Sequence, residues 1–340
     1  MSFDVWTPAG DEWLAHWAMW PQREIHAHPG YVSLFEDEHT HARCAAWRSE
    51  GASVLYPFLF RDLRVEPFLV DAADTITPYG YGGAFFWGAE RESVAARFWD
   101  AFDEWAAQRP VVSELVRFAL FDDELLPYPG EREQRLVNVV RDLAPSADEL
   151  WMDFEHKVRK NVKKARRAGV EIEFDQSGAR LEDFLRLYAH TLERREAAGR
   201  YDFPREFFER IHERLAGQFV YVHALHEGRV VSSELVLLSE RNAYSFLGGT
   251  DSDAFDLRPN DLLKHETILW AKEAGKSRFV LGGGYRPDDG IFRYKRSFAP
   301  NGLVPFYVGR RVLQRELYAK LSANVDSSGD FFPAYRVDSG

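Results

Sequence analysis

The chain has a single cysteine, Cys44, only three methionines, and no lysine before Lys157. One thiol excludes an intrachain disulfide, a cysteine-rich zinc site and a CxxC redox centre. Its apolar neighbours, in ARCAAW, predict a buried core residue. No uninterrupted apolar run approaches the ~20 residues of a membrane span, so no stable membrane insertion is expected. The opening MSFDVWTPAGDEW is acidic and has no apolar stretch, which argues against a signal peptide. GxSxG and Walker A motifs are missing. His26, His28, His39 and His41 lack HExxH or His–carboxylate spacing, which predicts a surface loop and no metal site. A cytoplasmic protein fits these absences.

What is present is a chain of 340 residues, 45% hydrophobic and 15% aromatic. Such a length suits two domains, or one large one. Charge is divided unequally. Residues 1–150 hold 12 arginines against 26 acids, a net of −14, whereas residues 151–340 carry a net of +3. The overall charge of −11 argues against a protein that coats nucleic acid. Any polyanion is expected on the second half. The shift predicts a boundary at 145/146, with domains over 1–145 and 146–322 and a flexible tail over 323–340.

Hydrophobic periodicity predicts a helix near 10–20 and strands at 31–35, 53–60 and 65–70, then a glycine–aromatic loop at 77–83. Val94, Phe98, Phe102 and Trp105 mark one buried face of a helix over 89–108. Strands at 113–121 and 135–143 flank a turn at 127–133. In the second half, helices are expected at 146–168, 179–198, 204–216, 258–275, 288–297 and 310–322. Strands are expected at 170–174, 219–225, 229–239, 243–249, 277–283 and 303–309. The fold class is α+β, with helices flanking mostly antiparallel sheets.

The strongest local feature is KVRKNVKKARRAGV. Lys157, Arg159, Lys160, Lys163, Lys164, Arg166 and Arg167 place seven cations in eleven residues with no acid among them. Val158, Val162 and Ala165 form an apolar stripe, and Gly169 stands where a helix C-cap belongs. The face is either solvated and balanced by acids elsewhere or a contact for phosphates of RNA or a diphosphate. We favour the second in so acidic a protein. Residues 228–284 follow the order strand, strand, irregular turn, helix, strand of GNAT acyltransferases. Where acyl-CoA enzymes carry a glycine-rich loop for the pyrophosphate, this chain has Leu257-Arg258-Pro259-Asn260. Proline removes an amide there, which disfavours an acyl-CoA donor.

The ordered set of KVRKNVKKARRAGVEIE, the stretch Tyr188 to Arg195, GRVVSSELVLL, Arg258 to Leu263 and GGGYRPDDGIFRYKRSF resembles the FemABX family of aminoacyl-tRNA-dependent peptidyltransferases. The resemblance covers about residues 1–320 and implies two tandem GNAT-like domains. Some members insert a long helical hairpin that binds tRNA; no such heptad segment occurs here. The co-substrate implied is aminoacyl-tRNA, with no other cofactor. The acceptor is an amine, by family that of a peptidoglycan precursor. A peptide or nucleoside natural-product amine is the alternative, and an acyl-CoA-dependent N-acyltransferase or a non-catalytic RNA-binding protein are further rivals. The family's aromatic–lysine pair matches Tyr294 and Lys295. Lys295 is expected to stabilise the oxyanion, and Tyr294 to meet the tRNA 3′ terminus. Core packing of Phe292, Tyr294 and Phe298 is the plainer reading. Lys160, Lys163, Lys164 and Arg167 are expected on the donor. Tyr188, Arg194, Arg195, Tyr244, Arg258 and Asn260 are expected at the acceptor, with Gly248 and Gly249 lining its cleft. Asp288 and Asp289 are read as turn and N-cap residues rather than proton acceptors.

Overall fold

The computed structural model describes residues 2–194, 202–323, 325 and 330–337. The chain divides into two compact units, Met1–Arg135 with Pro305–Gly340, and Leu136–Val304. This corrects the expected boundary. The division falls ten residues earlier, and the chain returns to the first unit after Val304.

In the first unit, β1 (Ser2–Trp6) leads to α1 (Asp11–Met19) and the short α2 (Pro29–Val32). Then come β2 (Thr40–Arg48), β3 (Ala52–Asp62), β4 (Ala73–Ile76), β5 (Phe85–Gly88), α3 (Arg91–Gln108) and β6 (Val111–Arg117). The chain continues through β7 (Glu131–Asp142), α4 (Ala147–Asp153), α5 (His156–Arg167), β8 (Glu171–Asp175), α6 (Leu181–Arg194) and α7 (Arg205–Arg214). After β9 (Phe219–His226), β10 (Arg229–Leu238) and β11 (Asn242–Thr250) come α8 (Pro259–Glu273), β12 (Arg278–Gly282) and α9 (Gly290–Arg296). β13 (Leu303–Val312) and α10 (Arg315–Ser322) close the sequence of elements.

The first unit's strands run β1-β2-β3-β4-β6-β13, with β5 also on β3; only β4 and β6 among them pair in parallel. α3 buries Val94, Phe98 and Phe102 against this sheet, where both phenylalanines meet Tyr56 and Phe102 also meets Phe58. Each such buried phenylalanine contributes about 1.5–3 kcal/mol over an exposed one.

Several expectations are corrected here. Residues 31–35 are helical, because Pro29 presets the first turn and His28 Nδ1 accepts from the Gly30 amide at 2.9 Å. Residues 65–70 form a turn closed by Val70 N–H to Leu63 O. β1, β2, β4 and β5 were not anticipated. His26 and His28 are buried, not on a surface loop; His26 packs edge-on to Tyr31 and Tyr81. The described part of the tail is anchored rather than loose. Tyr335 is buried, and its hydroxyl donates to Asp74 Oδ2 at 3.1 Å and meets Ser113 Oγ at 2.7 Å. Arg336 Nε donates to the same carboxylate oxygen at 2.6 Å, and Arg61 Nε to its other oxygen at 2.6 Å. Cys44 is buried as expected.

The second unit orders its strands β7-β12-β11-β10-β9-β8, antiparallel except for β11 and β12. The expected helix over 146–168 is two helices. Ser146 and Glu149 form a reciprocal capping box at the start of α4. Phe154 and Glu155 then turn extended, which buries Phe154 against His265 and Phe298 before α5 begins. Gly169, at φ +77°, ends α5 as expected, a conformation that disfavours other residues. Among the described residues no helix is long and apolar enough to cross a membrane, and no cluster of metal-ligating side chains occurs.

Candidate functional site

In the second unit β11 and β12 pair only over Asn242–Tyr244 and Arg278–Val280. Beyond that point β11 continues on β10 and β12 continues on β7, so the sheet splits. At Phe246 the β10–β11 register shifts by one residue, a bulge just past the last paired position. The starts of α8 and α9 border this split.

α8 opens with Arg258 in the left-handed region (φ +61°) and Pro259 at its first position. Its first turn carries Asp261, nearly buried, which accepts from Asn161 Nδ2 of α5 at 3.1 Å. Burial pushes this carboxyl above the usual range, against the pull of Asn161, Arg258 and Lys157. α9 is capped by Asp289, whose Oδ1 accepts from Phe292 N–H at 2.8 Å and whose Oδ2 accepts from Tyr285 and Arg286 N–H at 2.7 and 3.0 Å. Burial opposes ionisation of Asp289, but these amides outweigh it and hold its carboxyl low. The turn-and-cap reading of Asp289 therefore holds. Asp288 lies exposed beside Arg293 and Arg296.

Lys295 is half-buried on α9, and its Nζ donates to Gly283 O at 2.7 Å, at the end of β12. Tyr294 packs edge-on to Phe298, and its hydroxyl donates to Asn260 O at 3.2 Å. Burial, with the Asp261 and Glu234 carboxylates beside it, drives this phenol well above its ordinary range, so it stays neutral. Phe292 and Phe298 are core residues. Tyr294 thus ties α9 to the start of α8, where Arg258 is exposed and Asn260 half-buried.

α5 buries Val158, Val162 and Ala165 and turns its cations outward. Arg166 pairs with Glu266 at 2.6 Å, Lys163 Nζ lies 5.8 Å over the Trp151 ring, and Arg167 Nε donates to Lys163 O. Lys160 and Lys164 carry no ion pair among the described residues.

The expected acceptor residues lie on α6, on β11 and at the start of α8. Tyr188 is buried, stacked on Phe184, and Tyr244 is buried within β11. Arg194 is exposed; its guanidinium lies 4.8 Å over Phe255 and donates to Thr250 O. Arg195 lies outside the described residues. Gly249 does allow a close backbone approach, but to Leu187 O of α6: a methyl there would strike that carbonyl. Gly248 likewise faces Ser233 O.

One cluster escaped the sequence reading. Lys264 of α8 and Glu234 of β10, 4% and 6% exposed, form an ion pair through Glu234 Oε1. Ser245 Oγ of β11 donates to the same oxygen and accepts from Lys264 Nζ at 3.0 Å. A lone glutamate in the apolar run of β10 and a lone lysine on the buried side of α8 were the available signal, since buried charges need partners.

Comparison with known proteins agrees with this architecture. Residues 152–296 match the model of the acetyltransferase (GNAT) domain family. A curated relative, UDP-N-acetylmuramoylpentapeptide-lysine N(6)-alanyltransferase of Weissella viridescens, is 27% identical over 196 residues. The match covers 55% of this chain and 56% of the relative, so it spans little more than half the relative's length. The crystal structure of FemX superposes with a TM-score of 0.68 over 94% of this chain and 99% of that one, at 14% identity. The C-terminal domain of a putative lysylphosphatidylglycerol synthetase from Agrobacterium fabrum superposes with a TM-score of 0.56 over 93% and 96%, also at 14% identity. The resemblance to the FemABX family and the GNAT-type fold are both borne out.

Proposed function

We propose that this chain, FemABX-like in sequence and GNAT-like in fold, is an aminoacyltransferase that joins an amino acid from aminoacyl-tRNA to a primary amine. By analogy with the alanyltransferase relative, the amine belongs to a peptidoglycan precursor. An aminoacyl ester is already activated, so the amine can attack it without an enzyme nucleophile. The protein has to hold the two reactants together and stabilise the oxyanion. Lys295 supplies the cation for that oxyanion, held at the open end of β12 by its bond to Gly283 O. Tyr294 holds α9 against α8 and so keeps Lys295 in place.

The observation that carries the choice of donor is the first turn of α8. A coenzyme A pyrophosphate needs free amides there. Here Pro259 has none, and the turn is already supplied with the nearly buried Asp261 carboxylate. The exposed lysines of α5 suit the phosphates of a tRNA instead. A cationic small-molecule acceptor, such as a peptide or nucleoside amine, is the second reading; the net charge of −14 over residues 1–150 favours it.

The test supplies the full chain with tRNA charged with a labelled amino acid, and with a UDP-linked muropeptide or a panel of cationic amines. Label is expected on the amine, and digestion of the tRNA by RNase beforehand is expected to abolish its transfer. Transfer that survives RNase, or acetyl-CoA binding seen by calorimetry, would overturn the choice of donor.

A further inference from the structure

Aminolysis of an ester has a proton problem that Lys295 does not solve. As the amine attacks, its nitrogen becomes cationic, and it is expelled again unless it loses a proton. A lysine ammonium has donors only. The relay that follows rests on the aminoacyl-transfer reading.

Three side chains meet beneath the split between β11 and β12. Lys264 Nζ can only donate, and Glu234 can only accept while ionised. Ser245 lies between them, 3.0 Å from Nζ and bonded to Glu234 Oε1. Its hydroxyl hydrogen must therefore point at the carboxylate, because the lone-pair side faces the ammonium. The lysine and glutamate are buried, whereas Ser245 is half-buried and is the first β11 residue past the last position paired with β12. Glu234 Oε2 is buried and takes no hydrogen bond among the described residues. The carboxylate thus has spare capacity to accept.

A purely structural ion pair would be a costly way to fill this space, since apolar side chains of similar volume serve as well or better. Its surroundings also favour chemistry. Lys264 Nζ lies 5.4 Å over the Phe279 ring of β12, and the Tyr294 phenol feels the Glu234 charge. The cluster therefore lies against the strand and helix that carry the Lys295 site. Among the described residues, Lys264 of α8 pairs with Glu234 and Tyr294 of α9 lies within reach of its charge, while β9 and β11 place Val222 and Gly248 opposite it.

We propose that Ser245, polarised between Lys264 and Glu234, relays the proton of the attacking amine. The amine nitrogen bonds to the ester carbon, and the carbonyl electron pair moves to oxygen. The nitrogen gives a proton to Ser245 Oγ as the serine hydroxyl proton passes to Glu234. The oxyanion then collapses, the bond from carbon to the ribose oxygen breaks, and the same relay returns the proton to that oxygen. The products are an amide and a free ribose hydroxyl, with no net proton gained or lost. Lys264 holds the Glu234 carboxylate in place through their ion pair.

The test measures single-turnover transfer from charged tRNA as a function of pH for the wild type, Ser245→Ala and Ser245→Thr. Ser245→Ala is expected to lose about 10²-fold in rate near neutrality, with unchanged tRNA affinity and melting temperature. The deficit should narrow as pH rises and hydroxide takes the proton. Ser245→Thr, which keeps the hydroxyl, should recover most of the rate. A double variant, Glu234→Gln with Lys264→Met, removes both charges together and should show the same pH-dependent deficit. Ser245→Ala transferring at the wild-type rate, or losing rate equally at every pH together with melting temperature, overturns the relay alone. A wild-type chain that transfers nothing overturns the aminoacyl-transfer reading and the relay with it.

Discussion

A half-buried lysine whose Nζ donates to a backbone carbonyl is a fixed charge that costs little to aim, and Lys295 is such a group. Lys295→Ala is expected to lower single-turnover transfer by about 10²–10³-fold, the usual loss for one oxyanion donor, while the affinity for charged tRNA stays the same. An unchanged rate would remove the assigned role. His26 and His28 give a second prediction. Burial lowers His26 to about 3 and His28 to about 4. The unfolded chain, with histidines near 6.5, binds more protons than the folded one between these values. Stability is therefore fully present above about pH 6.5 and falls as pH drops toward 4. His26→Phe should flatten the slope of melting temperature between pH 7 and 5; an unaltered slope would refute the claim. At this scale the sequence was informative where a residue stands out locally, as at the N-cap Asp289 and the buried Cys44. It was silent on Glu234, Ser245 and Lys264, because their meeting depends on strand register and on α8 packing across thirty positions. Tyr188 and Tyr244 are buried, and an aromatic ring with a polar tip suits a core and a cleft equally.

Elements with a long, strict period were legible, and those defined by tertiary contacts were not. α3 and α8 lie within a few residues of their expected ranges, because each carries a continuous apolar stripe, whereas the helix expected over 146–168 is split into α4 and α5. The break between α4 and α5 has no glycine or proline to announce it; it exists to bury Phe154. β2, THARCAAWR, is small and mixed in character, and its partners β1 and β3 define it more than its own sequence does. α5 gives the element-scale prediction on function. Charge reversal at Lys160 and Lys164 should weaken binding to tRNA and reduce the slope of log affinity against log salt by nearly one for each phosphate no longer neutralised. A flat salt response in the wild type would exclude α5 as the tRNA-binding face. The approach of α6 to β11 gives one on stability. Gly249→Ala places a methyl against Leu187 O, and such overpacking typically costs about 1–3 kcal/mol. A urea midpoint equal to the wild type would show that α6 moves aside freely.

For the whole molecule, the mid-chain change in charge pointed to a boundary near residue 145, but gave no sign that the chain re-enters the first unit. That return is made by β13, which pairs with β6, and by the segment around Tyr335. Its sequence, FFPAYR, has no period, so it looked like a loose end; long-range polar contacts hold it. Asp74 is fully buried and is neutralised from two directions, by Arg61 of β3 and by Arg336, with Tyr335 donating a third hydrogen bond. Ending the chain at Pro333 removes two of those three partners and leaves a buried carboxylate with one. Breaking a buried ion network in this way typically costs about 3–5 kcal/mol. The shortened chain should therefore unfold at a clearly lower urea midpoint in its first transition. Asp74→Asn in the shortened chain should restore part of the loss, because the charge that lacks a partner is gone. If truncation leaves the midpoint where it was, the segment is a bystander. If truncation lowers it but Asp74→Asn restores nothing, the stabilisation comes from the packing of Tyr335 on Phe68 and Tyr318 rather than from charge.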